Sequence, residues 1–389
     1  MPPRRVCYVH TTSEVGGSDV SLAHIVERLD PARYQAVVAL PSDGPLVPRL
    51  ERAGATVVIV PSMRKLTSRQ GKAGLAAFAA GYPRGVLALA AEIRSHAADL
   101  VHTNTIHNLY GWAAARLTGR PHVWHVREIV WQSAALRRLE VALARRYSSR
   151  VVVTSDAVGR MFDHDGARPP HVVRIANGVD VARFTPGTSS RVRDDLGIAS
   201  EALLVGAAGR LDLWKGFEDF IDAAAAVHRR RPDVRFVLAG GPIEGHRDYQ
   251  ARLEQQASAR GLDGIMHFAG WRYGPETMSE FYRSVDVFVL PSREPEPFGL
   301  VVLEAMASAR PVIATAHGGP LELVVDGVTG LLTPPRDAAA MARAMLQLVD
   351  DRAGAAAMGV AGRDRVVDLY SIDRTVVSLQ RLYDEVLTR

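Results

Sequence analysis

Strand-like and helix-like runs alternate along the whole of this chain, and that alternation limits the fold more than any other feature. Short apolar runs fall near Arg5–Val9, Gln35–Ala39, Thr56–Val60, Leu100–His102, His122–His125, Val151–Thr154 and Val172–Ile175. A second series follows near Leu203–Gly206, Arg235–Ala239, Met266–Ala269, Val285–Val289 and Pro311–Ala314. Helical patterning fills most gaps, as in Val20–Leu29, Glu218–Arg230 and Arg247–Arg260. Apolar strands separated by helices form parallel sheets covered on both faces. The two series are parted by 177–200, rich in Gly, Ser, Thr and Pro. Two α/β domains are expected, 1–180 and 190–370, as a length of 389 residues allows. The stretch from Ser371 to Arg389 is amphipathic, with Val376, Leu379, Leu382, Tyr383 and Val386 on one face.

Composition narrows the setting. An apolar share of 47% with 23% charged residues describes a globular chain. The single cysteine, Cys7, lies in an apolar run and reads as a buried thiol in a reducing compartment. Arg4-Arg5 is followed by only four apolar residues, too few for a signal peptide. The longest apolar stretch, Gly74 to Ile93, is broken by Pro83-Arg84 and should not span a bilayer. A cytoplasmic protein is expected.

Charge is uneven. Residues 1–180 carry 23 Lys+Arg against 14 Asp+Glu, a net of +9, and the remainder carries 24 against 28. The basic residues lack interleaved aromatics or any nucleic-acid motif, so no nucleic-acid partner is expected. Arg64, Lys65, Arg69 and Lys72 lead into the run Leu75 to Ile93. That pairing suits an anionic membrane surface, with a solvated loop over an ordinary core helix as the equal alternative.

In doubly wound domains, ligands sit at the carboxyl ends of the strands. There stands Glu296-Pro297-Phe298-Gly299-Leu300, followed by Val301-Val302-Leu303-Glu304. One acid falls in a strand-to-helix loop and the other about one turn into the helix. Gly299 lets the backbone approach a ligand, and the amides of Phe298 to Leu300 lie at the positive end of the helix dipole. Acceptors beside donors suit a polyol phosphate; a helix-start charge plus a surface Glu is the plainer reading. Arg210 and Lys215, five residues apart after Gly209, can clamp a diphosphate and take up charge on a departing nucleotide. Gly16-Gly17 closes the first strand and opens a helix, a phosphate-binding geometry. No zinc-protease, paired-cysteine, serine-elbow or Walker pattern is present. The one cluster that invites a metal, Asp163-His164-Asp165, reads as a solvated helix end, and no metal or cofactor is expected.

Taken together, these segments resemble the signature of family-4 retaining glycosyltransferases of the GT-B fold, nearly end to end. Gly16-Gly17-Ser18-Asp19 stands where that family has a Gly-Gly-small-Glu loop. Ile175-Ala176-Asn177-Gly178-Val179-Asp180 is similar to its Ile-Pro-Asn-Gly-Val-Asp segment. Gly209-Arg210-Leu211 with Lys215-Gly216 matches its diphosphate clamp. Gly318-Gly319, Glu322, Asp326-Gly327 and Gly330-Leu331-Leu332 match the segment after the paired acids. Asp19 for Glu and Ala176 for Pro are the departures.

The resemblance implies two Rossmann-like doubly wound domains facing across a cleft, with the last helix packed back on the first. It also implies sugar transfer from a UDP- or GDP-sugar to an acceptor hydroxyl, lipid-linked or on a small molecule. A role in cell-envelope polysaccharide, glycolipid or secondary glycoside synthesis follows, at the inner membrane face or in the cytoplasm. By resemblance, Glu296 holds the sugar hydroxyls and Glu304 the ribose. His125 touches the donor sugar or reacting centre, and the base rests near Gly240, Trp271 and Arg272. His102 and Asn104 would line the acceptor side. The rivals are a nucleotide-sugar 2-epimerase on the same architecture and a non-catalytic nucleotide-sugar-binding subunit. A nicotinamide dehydrogenase lacks its dinucleotide fingerprint.

Overall fold

The computed structural model describes residues 2–14, 16–64, 71–131, 133–241, 248–271 and 275–388. The backbone divides into two compact units, 1–178 with 372–389, and 179–371.

In the first unit, β1 (Arg4–Val9), β2 (Tyr34–Leu40), β3 (Thr56–Ile59), β4 (Leu100–Thr103), β5 (His122–Val126), β6 (Arg150–Val153) and β7 (Val172–Arg174) form one sheet. Its order is β3-β2-β1-β4-β5-β6-β7, and every pairing is parallel. Side chains alternate across it as the pleat requires. Val6 and Tyr8 face the helices Gly17–Arg28 and Ile372–Leu387, while Cys7 and Val9 pack with Leu89 and Ile93 of the helix Gly71–Ser95. Burial in that layer pushes the Cys7 thiol up to about 12, which keeps it protonated and unreactive.

The second unit repeats the plan. β8 (Leu203–Ala208), β9 (Val234–Ala239), β10 (Met266–Gly270), β11 (Val287–Leu290), β12 (Val312–Thr315) and β13 (Leu331–Thr333) lie in the order β10-β9-β8-β11-β12-β13, again all parallel. Both sheets are thus doubly wound and Rossmann-like. The winding reverses between β1 and β4, and between β8 and β11. Outside the carboxyl ends of such strand pairs, a crevice opens.

All twelve expected strands are present. The thirteenth, β13, is only three residues long, too short for a visible pattern. Pro83 lies inside a helix that runs unbroken from Gly71 to Ser95. Proline removes one donor and usually breaks a helix. Here tertiary packing holds the segment, with Phe78, Leu89, Ala90 and Ile93 buried and Gly85 pressed against Tyr110, where a Cβ would come 2.4 Å from the ring. Among the described residues, no helix is long and apolar enough to cross a membrane. Lys65 and Arg69, like the side chain of Lys72, lie outside the described residues.

Candidate active site

At the reversal in the second sheet, β8 runs into Gly209 and β11 into Pro291-Ser292. The 3₁₀ turn Leu213–Lys215 carries the Lys215 ammonium over the Trp214 ring at 4.1 Å and onto Glu296, 2.8 Å from Oε2 and 3.2 Å from Oε1. Ser292 Oγ donates to the same Oε2 at 2.9 Å. Lys215 and Glu296 are each 8% exposed, so the charges stand largely out of water and hold one another. Lys215, expected to clamp phosphate, and Glu296, expected to hold a sugar, are thus joined in a single unit. Arg210 differs. It is exposed and, among the described residues, has no hydrogen bond or ion pair. That leaves its guanidinium available to an anion.

Glycines make this corner close-packed. Gly209 and Gly240 both have φ +156°, and a Cβ on Gly240 would fall 1.9 Å from the Gly209 carbonyl oxygen. Trp271 follows β10 directly and is 37% exposed, with Gly241 against its indole. Arg272 lies outside the described residues. Gly299, at φ +102°, begins the helix Leu300–Ala307, whose first amides have no carbonyl behind them. Pro297 is half-buried beside them, whereas the Phe298 ring is core, packed on Tyr370, so only its backbone can meet a ligand. The sequence reading missed Ser292 and the purpose of Gly318-Gly319. Glu296 bridges Gly318, and the Gly319 amide donates to the Glu296 carbonyl at 2.7 Å.

Glu304 sits in the helix Leu300–Ala307 and accepts from the Tyr282 hydroxyl at 2.8 Å. Burial pushes its carboxyl up to about 7, against the opposing pull of that hydrogen bond. The folded state therefore binds this proton more tightly than the unfolded state, so Glu304's contribution to stability is full below 4.5 and is lost as pH rises to about 7. Relative to Glu304→Gln, the wild type should lose up to about 3 kcal/mol between pH 5 and 8. Urea midpoints across that range check it; parallel pH profiles for the two proteins would refute it.

In the first unit, the reversal between β1 and β4 holds a buried polar cluster. Asp19 accepts from His10 Nε2 at 2.9 Å, Thr12 Oγ1 at 2.6 Å and the Gly16 amide at 2.9 Å. Burial raises its carboxyl, but these donors bring it below the ordinary value. Asp19 thus ties Gly16, just ahead of the helix that Gly17 opens, to the end of β1. Arg127, 7% exposed, donates to Asn104, Ser21, Asn177 and His125 Nδ1. It was not singled out from sequence, although it stands two residues past His125 at the end of β5. Asn104 is buried within this cluster, donating to the Ser18 carbonyl at 3.1 Å.

Two histidines are less accessible than their strand-end positions suggest. His102 lines no surface: it is fully buried and its Nδ1 shares a hydrogen bond with the Tyr383 hydroxyl of the helix Ile372–Leu387 at 2.7 Å. His125 is also fully buried, its Nδ1 occupied by Arg127 and its Nε2 without a partner. Burial, then the Arg127 charge, holds both imidazoles well below their usual pKa, and both are neutral. Asp163-His164-Asp165 follows the helix Asp156–Gly159, with Asp163 engaged by Arg168 and the other two exposed. Among the described residues, no three His, Cys, Asp or Glu side chains are grouped to hold a metal.

Residues 189–365 match the family described as glycosyl transferases group 1, and residues 16–178 match the glycosyl transferase 4-like domain. A D-inositol 3-phosphate glycosyltransferase of Salinispora arenicola is 30% identical over 98% of this chain and 92% of its own length. The chain belongs to the family-4 GT-B glycosyltransferases. Another relative of that name, from Salinispora tropica, is 31% identical over 98% of this glycosyltransferase and 86% of its own length. The crystal structure of HepE of Anabaena with UDP and glucose superposes with a TM-score of 0.85 at 27% identity, covering 98% of this chain and all of that one. Sucrose-phosphate synthase of Thermosynechococcus elongatus, at 23% identity and a TM-score of 0.82, shares the fold. The epimerase and non-catalytic readings fall away.

Proposed function

We propose that this glycosyltransferase moves a sugar from a UDP-sugar to an acceptor hydroxyl with retention of anomeric configuration. The observation that carries this is the Lys215–Glu296–Ser292 cluster at the reversal of the second sheet, beside Arg210 and the amides that begin the helix Leu300–Ala307. Glu296, fixed on two sides, keeps acceptor capacity for sugar hydroxyls. Arg210 and those amides suit the diphosphate. The likeness to HepE, whose structure contains UDP, supports the nucleotide. GDP is the second candidate.

In the proposed reaction, the bond from the anomeric carbon to the phosphate oxygen breaks as the acceptor oxygen bonds to the same face. The acceptor proton passes to the departing phosphate. Arg210 and the helix amides stabilise the charge that develops there, a class of contribution worth about 3–4 kcal/mol per well-aimed donor. Because Arg210 and those amides take that load, no divalent metal is required. The names of the 30–31% identical relatives support a phosphorylated polyol as acceptor, and so does the net +9 of residues 1–180.

The test combines UDP- and GDP-sugars with phosphorylated and unphosphorylated inositols. Turnover of a UDP-sugar is expected, with the donor's anomeric configuration kept by NMR and the rate unchanged in excess EDTA. An inverted product, or activity lost to EDTA and restored by Mg²⁺ or Mn²⁺, would reject the mechanism.

A further inference from the structure

Glu296 and Lys215 come from different loops, and nothing in their own contact explains why those loops stay in register. The connection lies one layer behind. Arg293, between Ser292 and Glu296, places Nε 2.7 Å from Asp219 Oδ2 and Nη2 2.6 Å from Oδ1, a two-point pair. Its Nη1 lies 3.3 Å from Glu218 Oε2. Asp219 and Glu218 stand in the first turn of the helix Phe217–His228, immediately after Lys215-Gly216. The backbone is joined at the same place: the Arg293 and Glu294 amides both donate to the Trp214 carbonyl, at 2.8 and 3.3 Å. Gly216, at φ +68°, is pressed so close that a Cβ would fall 2.2 Å from the Pro291 carbonyl oxygen.

We infer that Arg293 is a positioning residue for sugar transfer, holding the Glu296 loop against the Lys215 turn through its two-point pair with Asp219. The inference rests on the reading that Glu296 contacts the transferred sugar. Arg293 itself points away from that carboxylate and into the helix start, so it acts only through the loop that carries it. A guanidinium suits the task because its planar fork fixes orientation as well as distance, which a lysine ammonium cannot do. Misplacement of a reacting group by a fraction of an ångström is costly in rate, whereas a nucleotide held by other contacts is little affected.

The test compares Arg293→Met, Arg293→Lys, Asp219→Asn and the double variant Arg293→Met/Asp219→Asn, with Glu296→Ala as reference. For Arg293→Met, kcat for transfer should fall by about tenfold or more while Kd for free UDP changes less than about twofold. Arg293→Lys should recover part of the rate, and the double variant should be no slower than the slower single one. Unchanged UDP affinity establishes that each variant is folded. The inference is overturned if Arg293→Met keeps kcat within about twofold of wild type, if the two single losses multiply in the double variant, or if the loss is confined to UDP affinity. Failure of Glu296→Ala to slow transfer would instead remove the reading of Glu296 on which the inference stands.

Discussion

Glu296→Ala should slow sugar transfer by about 10²–10³-fold or more, the range seen when one preorganised polar contact at a reacting centre is removed. Two losses combine in that variant. The acceptor for sugar hydroxyls disappears, and the Lys215 ammonium, 8% exposed, loses the carboxylate that orients it. Affinity for free UDP should stay nearly intact, because Glu296 is proposed to meet only the sugar. Glu304→Ala supplies the contrast, since Glu304 is proposed to hold the ribose and losing those hydrogen bonds should weaken UDP binding itself by about 1–3 kcal/mol. Calorimetry with UDP and GDP on both variants separates the roles. Equal losses of nucleotide, or none in either, would show that the two acids are not divided in this way.

Gly318→Ala should be nearly as damaging although residue 318 carries no chemistry. Its φ of +82° is unfavourable for any side chain, and an added Cβ would stand 2.2 Å from the Glu296 carbonyl oxygen and 2.8 Å from its nitrogen. Neither backbone atom can swing aside as the tip of a side chain could. The Glu296 segment must move, or the β12–helix connection must, and each carries the bridge between them. A destabilisation of about 2–4 kcal/mol is expected, with a rate loss of at least tenfold in the folded fraction. Urea unfolding and single-turnover rates measure the two effects. A variant of wild-type stability and rate would mean that this contact does not hold Glu296 in place.

The fold was legible because most strands are buried on both faces and so write continuous apolar runs. Boundaries moved by a residue or two, and β13 escaped because three residues make no pattern. The second unit's candidate site was legible for a related reason: Gly209, Arg210, Lys215, Glu296 and Gly299 lie in the loops that follow strand ends, where doubly wound sheets open. What stayed hidden is pairing. Sequence spacing cannot reveal that Lys215 and Glu296, 81 positions apart, satisfy each other, or that Ser292 braces the same oxygen. The first unit was harder to read. A histidine at a strand end looks available from sequence, yet His102 meets Tyr383 from far along the chain, and His125 meets Arg127, itself anchored by Ser21, Asn104 and Asn177. Asp19 looked like a mere shortening of glutamate, and its three donors converge only once β1 and the helix Gly17–Arg28 are in place.

The assignment of the helix Ile372–Leu387 to the first unit bears on the order in which the molecule can be made. Tyr383 hydrogen-bonds with His102, and Leu379, Leu382 and Val386 complete the layer over Tyr8 and Val38. During synthesis, the second unit has all of its residues once the ribosome reaches Ser371. The first unit, begun earlier, must wait until that whole unit has been threaded out before it can close its own apolar face. Its sheet therefore stays incomplete the longer of the two, with a bare surface that invites aggregation, and a segment that emerges after the whole second unit acts as the seal.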